Sequence, residues 1–262
     1  MQNVRFINNR TERLFGLQDL HQHADGLDGK MQLGKWALGP DGRVSLAALG
    51  VFADEVLGYA LMSSLSPGEW SVSTELWLDV VGELPEPGCV LTGRARSVQP
   101  GSFATGELRD DQGRVVVECR QRGRHLPGEG RHERAEADAP TGDELGVAGM
   151  EELLGLRARG DDIVMLVPPE LLNPRGMMHG GVSLAASEIV ATRSRVDHGS
   201  DLRTTSVQIV HARGVPVGES VAFRAETRHA GRSLWVTDVI GAVGGSTCTV
   251  ARVSAGPAGR LG

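Results

Sequence analysis

The feature that most limits how this chain can fold is a repeat. Residues 30–38 read as a strand and are answered by 162–167. Apolar residues at 46, 49, 53, 56, 57, 60 and 61 have helical spacing, and the helix they predict within 44–61 is answered by one over 182–196, apolar at 182, 185, 186, 189 and 190. The alternating segment 70–81 is answered by 204–212, and Gly88-Cys89-Val90-Leu91-Thr92-Gly93-Arg94-Ala95 by Gly218-Glu219-Ser220-Val221-Ala222-Phe223-Arg224-Ala225. Strands 102–110 and 114–124, joined by the turn Asp110-Asp111-Gln112-Gly113, are answered by 233–240 and 246–253, joined at Gly244-Gly245. The offset stays between 130 and 134 residues throughout, so the chain is read as an internal duplication. Each half is one long helix among five or six antiparallel strands. A helix with an apolar stripe needs a sheet to cover it, so the fold class is α+β with a curved sheet around a helix. The halves are 1–125, with an extension over 1–29, and 149–262.

The join, 126–148, is rich in Pro, Gly and charge and reads as a linker. A short helix is expected near 11–20 and another over 151–159. His21 and His23 are read as solvated, as are His125, His132, His211 and His229. No apolar run is long enough to span a bilayer, and the N-terminus lacks the apolar core of a signal peptide. The expectation is a soluble cytoplasmic protein without a membrane partner. A net charge of −6 argues against a nucleic-acid partner. Cys89, Cys119 and Cys248 form no CxxC pair and read as small core residues, so no metal is expected.

Chemistry concentrates in Asn173-Pro174-Arg175-Gly176-Met177-Met178-His179-Gly180-Gly181. Pro174 and three glycines make this a loop, and it opens directly into the second long helix. Unpaired amides at a helix start, with the positive end of its dipole, favour negative charge. Glu188 follows on the same helix.

The motif N-P-x-G-x-x-H-G-G, with an acid nine residues after the His, resembles the hotdog-fold acyl-CoA thioesterases. It is most like the phenylacetate-pathway type and its hydroxybenzoyl- and naphthoyl-CoA relatives. The likeness covers 30–125 and 160–254, which implies a tandem (double) hotdog. It also implies a site made of an Asn, the His, the Gly after it, an acid and a Ser or Thr. In the second half these are Asn173, His179, Gly180, Glu188 and Ser206, with Thr205 adjacent and Gly181 and Met178 beside the substrate. In the first half Asp54 matches Glu188 and Ser73 (or Thr74) matches Ser206. Ser45 stands in place of the His, Leu46-Ala47 in place of Gly-Gly, and Gly39 in place of the Asn.

Nine residues of helix rise about 13 Å, too far for the Gly180 amide and Glu188 to meet on one carbon. The competent site is therefore expected to pair Asn173, His179 and Gly180 with Asp54 and Ser73. Glu188 and Ser206 then face Ser45 in a degenerate site. The Gly180 N–H would hold the carbonyl oxyanion. Asp54 would act either as nucleophile or as general base. Glu55 is read as a solvated helix residue, and Arg193, Arg195, Arg203 and Arg213 as a solvated basic face, with contact to the nucleotide phosphates as the alternative. The implied substrate is a small-molecule acyl-CoA, with coenzyme A part of the substrate and no separate cofactor, and by analogy a homodimer of such chains. A non-catalytic acyl-CoA binder is the alternative. A hotdog enoyl-CoA hydratase fits less well, since its motif needs an Asp where Leu171 stands.

Overall fold

In the computed structural model, which describes residues 10–23, 26–63, 65–66, 69–126 and 139–257, the alternating segments join into a single twelve-stranded sheet. The strands are β1 (Leu17–His23), β2 (Gly26–Gln32), β3 (Trp70–Val80), β4 (Val90–Gln99), β5 (Phe103–Arg109), β6 (Val115–Leu126), β7 (Arg157–Arg159), β8 (Asp162–Leu166), β9 (Arg203–His211), β10 (Ser220–Ala230), β11 (Trp235–Val243) and β12 (Ser246–Gly256). The helices are α1 (Arg10–Leu14), α2 (Gly50–Met62), α3 (Met150–Leu153) and α4 (Gly180–Asp197). The strand order is β1-β2-β4-β5-β6-β3-β9-β12-β11-β10-β8-β7. Taken from either edge it is the same succession, with β3 and β9 meeting in the middle. That seam is antiparallel, from Glu75 opposite Val210 to Asp79 opposite Ser206.

Each half wraps its own long helix. α2 packs on β2 to β6, α4 on β9 to β12, and the two helices pack on each other. α2 is buried nearly all round, and α4 is buried from Gly181 to Thr192. The helices approach most closely at their starts. A Cβ on Gly181 would lie 2.4 Å from the Gly50 carbonyl oxygen, so only glycine lets the backbones touch there.

Several expected boundaries move. The strand expected over 30–38 begins at Gly26 and ends at Gln32; Lys35–Ala37 is a 3-10 turn that buries Trp36. The first turn of the helix expected over 44–61 is a 3-10 turn, Leu46–Leu49, capped by the Ser45 hydroxyl. The helix expected near 11–20 stops at Leu14. Gly16, at φ +71°, turns the chain, and Leu17–His23 becomes an edge strand. Likewise the helix expected over 151–159 stops at Leu153, Gly155 turns at φ +64°, and Arg157–Arg159 pairs as the opposite edge strand. Most of the linker expected over 126–148 lies outside the described residues, as does His132. No described helix is long and apolar enough to cross a membrane.

Candidate active site

His179 is the residue just before α4, and its backbone is extended where the helix begins. Its Nδ1 lies 3.0 Å from the Gly181 nitrogen, so the side chain caps the helix while Nδ1 carries no proton. Close approach of the two helix starts carries the ring into the other half. Nδ1 is 3.2 Å from Asp54 Oδ2, and Nε2 is 2.5 Å from Glu55 Oε1. Asp54 also accepts the Gly181 N–H at 2.8 Å on Oδ2 and the Gln121 amide at 2.6 Å on Oδ1. One carboxylate from α2 is thus held by groups from α4 and β6, across the boundary between halves. All four side chains, Asp54, Glu55, Gln121 and His179, are buried.

Burial opposes charge on His179, but the hydrogen bond to Glu55 and the nearby Asp54 and Glu55 charges outweigh it, so its pKa is raised. His211, on β9, has the opposite balance. Burial dominates there and holds its pKa down, against the pull of Asp54 and of the Gly180 and Ser73 backbones. Its Nε2 is 3.2 Å from the Gly180 carbonyl oxygen. The expectation that His211 is solvated is therefore wrong. Along β9, Val207 and Ile209 point inward, and position 211 shares their parity.

These groups line a cavity of about 610 Å³, within the range of small-molecule sites. Ser73 Oγ, Gln121 Oε1, His211 Nδ1 and Thr249 Oγ1 are buried on its wall without a hydrogen-bond partner among the described residues. The Gly180 N–H, at the start of α4, likewise has no acceptor among the described residues. A Cβ on Gly180 would fall 2.6 Å from Asp54 Oδ2, so a side chain here would displace the carboxylate. At the mouth stand Arg124, Arg175 and Arg213, none with a carboxylate partner among the described residues. No described group of three or more His, Cys, Asp or Glu is arranged to hold a metal ion.

The matched position in the other half looks different. Ser45 caps its turn through the Ala47 N–H, as His179 caps α4, and donates to Glu188 Oε2 at 2.5 Å. Thr204 and Thr192 donate to Glu188 Oε1 at 2.5 and 2.8 Å. The Arg195 guanidinium sits against the two threonines, buried, its pKa lowered by burial despite the Glu188 charge. Glu188 thus accepts from three hydroxyls, those of Ser45, Thr192 and Thr204. Where Thr192 stands beside Glu188, Gly58 stands beside Asp54, and a Cβ there would meet only Gln121 Oε1, at 3.8 Å.

The remaining expected residues fall as follows. Asn173 uses its side-chain oxygen to accept the Arg175 and Met177 N–H groups, so it shapes the loop at the cavity wall. Met178 and Thr74 line the cavity, and Gly181 touches Asp54 and α2. Ser206 is not beside Glu188. β3 and β9 carry matching bulges at Thr74 and Thr205, which align Ser73 with Thr204, and it is Thr204 that donates to Glu188. The counterpart of Ser73 is therefore Thr204. Glu55 is not solvated, since the ring of His179 covers it. Of the arginines, Arg195 is buried away from the mouth, Arg193 pairs with Glu151 at 2.6 Å, and Arg213 alone of the four lines the cavity. Sequence reasoning does not single out Gln121 and reads His211 as solvated, although strand parity puts both on the inner face.

Residues 175–245 match the family model described as the thioesterase superfamily. No curated protein matches the sequence. Among solved structures, a putative oleoyl thioesterase from Lactobacillus plantarum superposes with a TM-score of 0.59 at 12% identity, covering 94% of this chain and 100% of that one. The 12:0-ACP thioesterase from Umbellularia californica gives 0.60 at 16% identity, over 88% and 93%. The tesB protein of Mycobacterium avium subs paratuberculosis gives 0.60 at 10% identity, over 91% and 96%. At such identities the likeness is one of fold. The resemblance to hotdog thioesterases read from the loop motif is borne out, and the fold is the hotdog thioesterase fold, a large antiparallel sheet around few helices.

Proposed function

We propose that the chain is a tandem hotdog that hydrolyses an acyl-CoA thioester at a single site between its halves, with Asp54 as general base. The observation that carries this reading is the Asp54 carboxylate, buried on a cavity wall and held by the Gly181 N–H and the Gln121 amide from two different halves.

The chemistry requires a base, a place for the oxyanion and room for the thioester. A water attacking the carbonyl carbon gives a proton to Asp54 and forms the C–O bond. The carbonyl oxygen, now negative, accepts the unpartnered Gly180 N–H at the positive end of α4. Collapse breaks the C–S bond, and the thiolate takes the proton from Asp54, leaving acid, thiol and the starting carboxylate. Ser73 Oγ, Gln121 Oε1 and His211 Nδ1, without partners among the described residues, offer hydrogen bonds to the water or to the acyl group. The arginines at the mouth suit the phosphates of coenzyme A. Gly58 gives the thioester the space that Thr192 denies it beside Glu188.

The test is thiol release from short, medium and aryl acyl-CoAs by the wild type, Asp54→Asn and Glu188→Gln. Asp54→Asn is expected to lose about 10²–10⁴-fold in kcat, and Glu188→Gln to stay within a few-fold. A wild type that binds acyl-CoA but frees no thiol sinks the hydrolase reading. Loss of turnover in Glu188→Gln alone would sink the assignment of the base.

A further inference from the structure

Two consecutive carboxylates on α2, Asp54 and Glu55, are buried and converge on the same imidazole from the other half. The hydrolysis proposed above uses the first and leaves the second without a task. A buried carboxylate is costly unless it is paired and hydrogen-bonded, and the partner of Glu55 is His179.

We propose that Glu55 is a positioning residue for thioester hydrolysis, the counterion that keeps His179 oriented and charged while Asp54 is transiently neutral. This rests on the thioesterase reading. At rest, His179 lies between two carboxylates, with Nε2 on Glu55 and Nδ1 facing Asp54. When Asp54 takes a proton, its charge vanishes. With Asp54 alone, the imidazolium would then be a buried charge without a partner and would give up its proton. Glu55 leaves a neutral ion pair in its place, so the step that neutralises Asp54 strands no charge. Once the base returns its proton to the thiolate, the resting arrangement is restored.

The surroundings fit this role. The charged groups facing His179 are Asp54 and Glu55 on α2. His211, from β9, is the other titratable neighbour, and burial disfavours charge on it. The hydrogen bond to Glu55 is the strongest of the influences that raise the His179 pKa. The Gly181 N–H lies within reach of both Nδ1 and Asp54 Oδ2, at 3.0 and 2.8 Å. It can therefore turn wholly to the carboxylate when Nδ1 carries a proton.

The experiment compares wild type with Glu55→Gln, which keeps shape and removes charge. The His179 protonation midpoint is followed by NMR, with the resonance assigned from His179→Asn, and kcat and KM for acyl-CoA are measured against pH. The midpoint is expected to fall by about 1–3 pH units, and the alkaline limb of kcat to move down with it. KM should stay within about twofold, and Glu55→Gln should add little to the loss already caused by His179→Asn. Should Glu55→Gln fail to fold, Glu55→Asp, which keeps the charge but withdraws it, is expected to show a smaller shift of the same sign. A midpoint that does not move, or one that moves without the kcat limb, overturns the proposal. A wild type that frees no thiol overturns the hydrolase reading and this role with it. A working hydrolase whose variant keeps the wild-type profile overturns this role alone.

Discussion

Asp54 and Glu188 occupy matched positions on two helices, and their neighbours decide what each can do. Glu188 is surrounded by three hydroxyls, whereas Asp54 has an open side where Gly58 carries no side chain. Gly58→Thr would bring in the hydroxyl that closes the other site. It is expected to raise KM or abolish turnover while the variant still folds, checked by thiol release beside a circular dichroism melt. Full activity in that variant would mean the thioester does not pass Gly58. At this scale the sequence was readable where a residue type and a spacing coincide, as for His179, Gly180 and Asp54. It was opaque where a contact crosses the halves. Glu55 lies one residue from Asp54, about 100° round the helix, so helical spacing alone turns it away from the site. An imidazole arriving from another element accepts both directions. Gln121 sits between Arg120 and Arg122 and looks like part of a charged run, yet it follows Val117 and Cys119 on the inner face.

Between elements, the decisive contact is the meeting of the α2 and α4 starts. His179 reaches Asp54 and Glu55 only because Gly181 lies against Gly50. Gly181→Ala must push the helices apart, which is expected to cost about 1–3 kcal/mol of stability and to reduce kcat through the lengthened His179–Asp54 distance. Denaturant unfolding with thiol release measures both, and an unchanged melt would show that the helices have slack. Long periodic elements could be placed from the sequence within a few residues. Edge strands could not. Leu17–His23 has polar side chains on both faces, and Arg157–Arg159 is exposed throughout, so neither has the alternation that marks a half-buried strand. The length of the helix-to-strand connection is equally silent: Ser73 follows Asp54 by 19 positions but Thr204 follows Glu188 by 16, so a spacing of about eighteen overshoots to Ser206.

For the whole molecule, the two histidines make stability depend on pH in opposite senses. The folded His179 pKa lies above its ordinary 6.5, so folding takes up a proton there. Its contribution is complete below about pH 6.5 and is lost as pH rises through the raised value. The folded His211 pKa lies below 6.5, so its contribution is present above about pH 6.5 and is lost as pH falls through the lowered value. Buried Cys119, whose pKa burial pushes up, adds to the alkaline loss. Comparison with Glu55→Gln isolates the part due to His179. The melting temperature of the wild type is expected to fall more steeply than that of Glu55→Gln above neutral pH. Parallel curves would show that the ring is not preferentially charged in the fold. The join at β3 and β9 has a further consequence. In an assembly of two identical chains, every substitution appears twice, at both sites, so an improvement to one pocket is imposed on its twin. In a single chain with two halves, each change appears once. Ser45 can replace a histidine and Thr192 can fill a cavity without touching the counterpart. One pocket is then free to adapt to a substrate while the other hardens into a brace.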